Sequence, residues 1–241
     1  MVEKNNLDIE TFKINLYKNN YNRIWNTGLQ KLGGSILPRL LFKFVKPLPS
    51  GRLLEIGAGS GESLQFIPKN LLICREYVAL DLQPGLSNKN LKRQIDRLQG
   101  VNFTKLKFIQ GDASKLPFPD NHFDIAISTC VLAHVSYPEL VFSELRRVVK
   151  NKGQVVIGMP CDPGFVNRSI KNLLTYRKIR RQGLDNPRLI YALEHRNPIG
   201  NLITIAKYIY KNDTLKITFF PFKIYSWNLN LITFLKVQIV K

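Results

Sequence analysis

Three glycines at alternate positions follow an apolar run and could form a ligand-binding turn. The run Leu53–Ile56 leads directly into Gly57, Gly59 and Gly61. Glycine lets a backbone turn sharply and approach a ligand without a Cβ in the way, and such a turn between a buried strand and a helix suits a nucleotide-like ligand. A dinucleotide fingerprint needs Gly or Ala three residues after its second glycine, but here that position is Glu62. The spacing therefore indicates a nucleotide-like ligand and disfavours a dinucleotide.

Two carboxylates and an apolar side chain are predicted at the ends of the next two strands. Asp81 and Leu82 end the apolar run Tyr77–Leu82, and Asp112 follows the run Leu106–Gln110. Ligands of an open parallel sheet bind outside the carboxyl ends of its strands. There Asp81 could accept both ribose hydroxyl protons of a nucleoside, Leu82 could cover the adenine face, and Asp112 could accept an adenine amino proton.

The elements that must position these residues alternate between strand and helix. Strands are predicted at Arg52–Ile56, Tyr77–Leu82, Leu106–Gln110, Phe123–Ser128 and Gln154–Met159. Helices are predicted at Glu62 to about Asn70, Asn88–Leu98 and Glu139–Lys150. This order predicts an α/β fold with a Rossmann-like, doubly wound, mostly parallel sheet.

The flanks of this core differ from it in pattern. A helix at Ile199–Tyr210 and strands at Leu215–Phe220 and Leu231–Val240 predict an antiparallel C-terminal hairpin at the sheet edge. We therefore expect one domain with an N-terminal helical cap (1–50, with a break at Gly33–Gly34), a cofactor-binding core (51–160), a basic lid or acceptor insertion (161–197) and a C-terminal helix with two strands (198–241).

Four segments of this core resemble, in order and spacing, the motifs of class I S-adenosylmethionine-dependent methyltransferases. They are Leu53–Glu62, Val78–Leu82, Gly111–Phe118 and Phe123–Val135. The resemblance is to the small-molecule branch that includes quinone, lipid and sugar methyltransferases, and it covers roughly residues 50–160. The chain departs from the family at Lys150–Gly153, where Lys-Pro-Gly-Gly is usual, but that turn lies away from the ligand side.

The resemblance implies S-adenosylmethionine as the cofactor and assigns residues to each part of it. The methionine portion would be framed by Glu55, Gly57, Ala58, Gly59 and Gly61, with Thr129 under its amino acid moiety. The nucleoside would be held by Asp81 at the ribose, Leu82 at the adenine face, and Asp112 with Ala113 at the adenine edge.

Two histidines are candidates for a general base, which methyl transfer needs only when the acceptor is a hydroxyl or a carbon acid. His134 follows the fourth strand, where the acceptor site of the family opens, and it could equally be a structural histidine. His195, beside Glu194, could reach the acceptor from the lid. No metal site is expected, because Cys74, Cys130 and Cys161 lack metal-ligand spacing.

A net charge of +19 over 241 residues raises the question of a nucleic-acid partner. Lysine and asparagine are scattered along the whole chain, as an AT-rich genome produces, and charge concentrates only at Arg39–Lys46 and Arg177–Arg181. Neither cluster carries an aromatic stacking platform, and Ser128–Val131 lacks the Asn-Pro-Pro-Tyr tetrad of base-methylating enzymes. Nucleic acid is therefore an unfavoured partner, whereas contact of Arg39–Lys46 with an anionic membrane is a hypothesis. The basic lid and the segment Phe219–Asn230, rich in aromatic and asparagine residues, favour an anionic or lipid-linked saccharide as the acceptor.

The favoured function is methyl transfer to oxygen or nitrogen of a small-molecule, lipid or saccharide acceptor, for example in glycan or surface polysaccharide biosynthesis. The alternatives are carbon methylation in quinone or lipid metabolism, an RNA methyltransferase, and a non-catalytic nucleotide-binding module. Since no signal peptide or membrane-spanning segment is recognisable, we expect a cytoplasmic enzyme that contacts at most the inner face of the membrane. The sequence does not define its oligomeric state.

Overall fold

A computed structural model describes residues 29–46, 50–59, 61–68, 75–82, 106–181, 183 and 186–241. Within them one seven-stranded sheet has the order β3-β2-β1-β4-β5-β7-β6. Its strands are β1 (Arg52–Ile56), β2 (Glu76–Asp81), β3 (Leu106–Gln110), β4 (Phe123–Thr129), β5 (Val149–Pro160), β6 (Thr214–Phe220) and β7 (Ile232–Gln238). The order reverses direction between β1 and β4, which is the switch point where open α/β sheets bind ligands.

The first five strands are parallel and the last two close one side of the sheet as an antiparallel hairpin. β1 pairs in parallel with both β2 and β4, while β7 lies antiparallel between β5 and β6. The β5–β7 register pairs Pro160 with Ile232. Because Pro160 ends β5, the loop that joins β6 to β7 lies at the carboxyl edge of the parallel strands.

Helices cover both faces of the sheet. They are α1 (Leu29–Leu41), α2 (Pro138–Val148), α3 (Phe165–Ile170), α4 (Tyr176–Arg181), α5 (Pro187–Glu194) and α6 (Ile199–Ile209), with single 3₁₀ turns at Glu62–Phe66 and Val131–Ala133. A π-helical turn, Lys171–Thr175, connects α3 to α4, and Tyr176 N–H donates to the Lys171 carbonyl across it.

Two apolar layers hold these elements together. One layer packs α2 and α6 on one face of the sheet, and Phe142, Leu202 and Ile157 are all buried in it. The other packs α1 on the opposite face, with Leu41 and Phe42 buried among side chains of β1, β2 and β4. Because both faces of β1 are covered, its apolar residues Leu53, Leu54 and Ile56 are buried, and so is the carboxylate residue Glu55 among them.

The structure confirms the predicted α/β fold, including the antiparallel C-terminal hairpin. The predicted break at Gly33–Gly34 is wrong, because α1 runs through both glycines. The helix predicted from Glu62 is also wrong in length, since a 3₁₀ turn ends at Phe66. The predicted helix Asn88–Leu98 lies outside the described residues, and the division into segments at residues 50, 160 and 197 stays a prediction.

Candidate active site

The glycine turn after β1 is fastened to the end of β2 by backbone hydrogen bonds. The amides of Gly57 and Ala58 both donate to the Leu80 carbonyl, at 2.8 and 3.1 Å. All three glycines have positive φ, of 68° at Gly57, 52° at Gly59 and 72° at Gly61, a conformation that L-residues with a Cβ rarely adopt.

The absence of a side chain has different consequences at Gly57 and at Gly59. A Cβ on Gly57 would lie 1.9 Å from Cγ2 of Val131, so this glycine lets the turn pack against the segment that follows β4. A Cβ on Gly59 would have no atom within 4 Å. Gly59 therefore leaves open space beside the backbone, which is the arrangement that a closely approaching ligand requires.

Asp81 connects the loops that follow β1, β2 and β3. Its Oδ2 accepts a hydrogen bond from Gly59 N–H at 2.8 Å, and its carbonyl accepts one from Gly111 N–H at 2.9 Å. Asp81, the residue predicted to bind the ribose, is thus hydrogen-bonded directly to the glycine turn. Leu82, the next residue, is 62% exposed, which leaves an apolar surface beside the carboxylate.

The remaining nucleoside candidates lie in the loop after β3. The exposed carboxylate of Asp112 accepts a hydrogen bond from Ser114 N–H at 2.8 Å, so it also stabilises its own turn. Ala113 is buried in the apolar layer beneath. Both residues lie at the carboxyl edge, next to the end of β2, as the strand order requires.

Glu55 differs from the other cofactor candidates because its carboxylate is buried and has a protein partner. Only 1% of the residue is exposed, and Tyr77 O–H donates to its Oε2 at 2.5 Å. Burial raises the pKa of Glu55, while the hydroxyls of Ser63 and Tyr77 act in the opposite direction. A contact of this carboxylate with cofactor stays a prediction.

The chain reverses sharply after β4 and carries a histidine into the same edge. Thr129 ends β4 half-buried, and Cys130 turns the chain with a φ of 63° while its amide donates to the Gly158 carbonyl at 2.9 Å. The 3₁₀ turn Val131–Ala133 follows and ends at His134. Burial raises the pKa of the Cys130 thiol to about 11, so it stays protonated at neutral pH.

The structure brings the two predicted histidines together. The rings of His134 and His195 meet edge to face, with centroids 4.8 Å apart. His134 Nδ1 lies 3.7 Å from a carboxylate oxygen of Glu194. Asn197 supports this arrangement, since its side-chain amide donates to the carbonyls of Leu132 and Val135 at 2.8 and 2.7 Å.

Asp162 and Lys171, which the sequence reasoning missed, complete this cluster. His195 Nδ1 lies 2.8 Å from Asp162 Oδ2, and Lys171 Nζ forms an ion pair with the same oxygen. The ammonium also lies over the ring of Tyr191, 4.2 Å from its centroid. We call Asp162, Lys171, Tyr191, His195 and His134 the polar cluster.

Burial controls the charges in the polar cluster. Burial opposes ionisation of Asp162, but its contacts with His195 and Lys171 prevail and hold its pKa at about 2. Burial lowers the pKa of Lys171, and Asp162 opposes that change. Two effects lower the pKa of His134 to about 4: burial is the larger, and the neighbouring His195 is the next. His134 is therefore a neutral imidazole at pH 7, able to accept a proton.

The carboxyl edge of the sheet thus has two halves. The loops after β1, β2 and β3 supply glycines and carboxylates suited to a nucleoside, and the segments after β4 and β5 supply the polar cluster. Glycines and carboxylates at the switch point of a sheet with this strand order are typical of the class of doubly wound α/β proteins that bind a nucleotide-like ligand there.

Comparison with known proteins agrees with that class. Residues 54–157 match the family described as "Methyltransferase domain". The ubiquinone/menaquinone biosynthesis C-methyltransferase UbiE of Ectopseudomonas mendocina is 30% identical over 116 residues, which are 48% of this chain and 44% of that protein. The chain thus spans less than half the length of the curated relatives it matches.

Solved structures share the fold at low identity. An S-adenosylmethionine-dependent methyltransferase from Thermotoga maritima has a TM-score of 0.56 at 19% identity, covering 94% of this chain and 98% of its own. The [4+2]-cyclase SpnF has a TM-score of 0.60 at 16% identity, covering 90% of this chain and 84% of its own. Residues 54–157 are therefore a methyltransferase domain, and the cofactor that such a domain implies is S-adenosylmethionine.

Proposed function

We propose that this protein transfers a methyl group from S-adenosylmethionine to a small-molecule acceptor bound at the polar cluster. The observation that carries the proposal is the hydrogen bond from Gly59 N–H to Asp81 Oδ2, which links the glycine turn to the carboxylate proposed to bind the ribose. The space beside Gly59 fits a cofactor that approaches the backbone closely.

Each part of the cofactor has candidate partners in the loops that follow β1, β2, β3 and β4 at the carboxyl edge of the sheet. Asp81 has a carboxylate with about four acceptor positions and can bind both ribose hydroxyls, while Leu82 offers its exposed apolar side chain to the adenine face. Asp112 and Ala113 are proposed at the adenine edge. The methionine portion is proposed to lie over the glycine turn, with Thr129 beneath it; Glu55, Gly57, Ala58 and Gly61 shape that part of the site.

The bound cofactor supplies an electrophilic methyl group on its sulfonium, so the protein has mainly to orient an acceptor. His195 is proposed to remove a proton from that acceptor. A proton on its Nδ1 satisfies the contact with Asp162 and makes Nε2 the basic position. Lys171 is proposed to hold the position of Asp162 through their ion pair. His134, neutral at pH 7, is the second candidate base.

For the acceptor we propose a hydroxylated aromatic ring of the quinol type, methylated on carbon. The support comes from the relative named a ubiquinone/menaquinone biosynthesis C-methyltransferase, and it favours this acceptor over the oxygen or nitrogen of a saccharide expected from the sequence. Carbon methylation of such a ring requires its hydroxyl to lose a proton, and a buried histidine with a carboxylate partner suits that step. A saccharide or lipid hydroxyl is the alternative.

Calorimetric titration with S-adenosylhomocysteine tests the cofactor half of the site. Asp81→Ala should weaken binding by about 1–3 kcal/mol, because ribose hydroxyls would lose their acceptor. Asp120→Ala is the matched control, since this exposed carboxylate contacts Arg147 outside the site. Equal affinities of the Asp81→Ala variant and the unmodified protein would remove the ribose assignment.

Labelled methyl transfer tests the acceptor half. With methyl-labelled S-adenosylmethionine, we expect mass spectrometry to find the label on a ring carbon of a quinol with an unsubstituted ring position, and His195→Gln to abolish the transfer. Label on a sugar oxygen, with none on the quinol, would support the saccharide alternative instead.

A further inference from the structure

The loop that joins β6 to β7 presents a row of large apolar side chains to solvent. Phe222 is 61% exposed and Ile224 is 55% exposed, and Tyr225, Trp227 and Leu229 are exposed as well. Soluble proteins rarely expose such residues together unless they form a contact surface.

The backbone of this loop is held firmly in the shape that exposes them. Asn230 is completely buried. Its Oδ1 accepts from Phe222 N–H at 2.9 Å, and its side-chain amide donates to the carbonyls of Ile224 and Ser226 at 3.0 and 2.8 Å. The exposure of the apolar side chains therefore follows from a specific internal hydrogen-bond network.

The helical segment after β5 extends the same surface. Asn228 accepts hydrogen bonds from Phe165 N–H at its Oδ1 (3.3 Å) and from Val166 N–H at its carbonyl (3.0 Å), so the loop packs against the start of α3. The segment adds exposed Phe165, Leu173 and Leu174. We call these three side chains, together with the five of the β6–β7 loop, the aromatic surface.

Basic side chains accompany the aromatic surface, and acidic ones are absent from both of its segments. Residues 163–181 and 214–241 contain no Asp or Glu in the sequence. The first segment exposes Arg168, Arg177, Arg180 and Arg181, and the loop exposes Lys223. Arginine and lysine around exposed aromatic and aliphatic residues form the pattern of proteins that lie in the headgroup region of an anionic bilayer.

We infer that the aromatic surface docks on an anionic phospholipid membrane. Phe222 and Ile224 would enter the acyl boundary, and the arginines of α3 and α4 would contact the headgroups. Among the residues that the structure describes, no helix is long and apolar enough to cross a bilayer. This docking is a property of the surface and does not depend on methyl transfer.

The aromatic surface is a better candidate for this contact than Arg39–Lys46, which the sequence suggested. Arg39, Lys43 and Lys46 are exposed there, but Leu41, Phe42 and Val45 between them are buried against the sheet. That segment supplies charge without apolar side chains to insert.

Flotation of the 241-residue protein with vesicles tests the inference. The protein should float with vesicles of phosphatidylcholine and phosphatidylglycerol and should largely stay behind with phosphatidylcholine alone, because the arginines need anionic headgroups. The double variant Phe222→Ser, Ile224→Ser should lose about tenfold or more in vesicle partitioning, since two apolar side chains no longer enter the bilayer.

Val240→Ser is the matched control, because Val240 is 50% exposed and follows β7 at the opposite edge of the sheet. Circular dichroism melting should show that the variants fold. In a Trp25→Phe variant, brominated lipid should quench the emission of Trp227, the remaining tryptophan.

Three outcomes would overturn the inference. The unmodified protein could fail to float with anionic vesicles, or the double variant could float as well as Val240→Ser. Alternatively, analytical ultracentrifugation could show a dimer that only the double variant loses, in which case the surface joins two copies of the chain.

Discussion

Replacing Gly57 or Gly59 with alanine distinguishes two roles of the glycine turn: its packing against the rest of the protein, and the space that it leaves for a ligand. Both positions have positive φ, so alanine costs about 1–2 kcal/mol of conformational energy at each. Only at Gly57 does the new Cβ meet another group, Cγ2 of Val131 at 1.9 Å. The β-branched Val131 side chain is stiff, and overpacking of this kind costs a further 1–3 kcal/mol, roughly. Gly57→Ala should therefore lower the free energy of unfolding by about 2–5 kcal/mol, against about 1–2 kcal/mol for Gly59→Ala.

Urea denaturation of the cofactor-free variants measures this difference, and titration with S-adenosylhomocysteine measures access. Gly59→Ala should keep most of the stability yet bind the ligand at least about tenfold more weakly, because its Cβ projects into the space proposed for the cofactor. Val131→Ala should recover part of the loss in the Gly57→Ala background, and a double-mutant cycle isolates that coupling. Equal unfolding free energies for the two glycine variants, or zero coupling to Val131, would refute the packing argument.

Three further predictions concern buried polar groups. Tyr77→Phe removes the hydroxyl that donates to the buried Glu55 carboxylate and should cost about 1–3 kcal/mol of unfolding free energy in urea denaturation at pH 7; a neutral result would mean that Glu55 finds another donor. Lys171→Met leaves Asp162 without its cation and should cost about 3 kcal/mol, whereas adding Asp162→Asn should restore part of that stability; strict additivity of the two changes would contradict the ion pair. His134 has a folded-state pKa of about 4, below its usual 6.5, so the unfolded chain binds more protons between these pH values and stability should fall as pH drops from 6.5 to 4. The loss should be about 1–2 kcal/mol after discounting for the partial exposure of the ring, and His134→Gln should remove that part of the slope in denaturation curves recorded across this range.

The parallel strands were predictable because their signals are local. The bounds of β1 and β3 agree with the predictions, since Leu53–Ile56 runs into Gly57 and the run Leu106–Gln110 ends at Gly111. The covered strand β1 reads as a nearly continuous apolar run, the half-buried edge strand β3 is apolar at three of its five residues, and each run ends where the chain turns at the sheet edge. Each signal needs only a few consecutive residues.

Helices α3 and α4, with the π turn between them, were harder to predict than α6, because the exposed side of this segment is partly apolar. Residues 165–181 expose Phe165, Leu173 and Leu174 while burying Lys171, which reverses the usual amphipathic pattern. The π turn also shifts the helical period within this segment. The sequence therefore indicated a basic insertion here without its helices.

The polar cluster was predictable only in its histidines. His134 and His195 stood out as residue types that can move protons, but their ring contact joins positions 61 residues apart, as their numbers show. Asp162 and Lys171 carry no signal of their own, because an aspartate before a proline and a lysine in a basic segment are common. Asp162 and Lys171 are recognisable only in the folded chain, where both charges are buried and each requires a partner.

The π turn Lys171–Thr175 makes the membrane-facing segment sensitive to its length. Deleting one residue, such as the exposed Asn172, would let the turn close as ordinary α-helix, whereas inserting one would rotate everything after it by about 100° relative to α3. Tyr176 and Ile179, now buried, would turn away from the core, and the arginines of α4 would point in a new direction relative to Phe165. Substitutions along this segment are therefore expected to be tolerated in evolution far more readily than single-residue insertions.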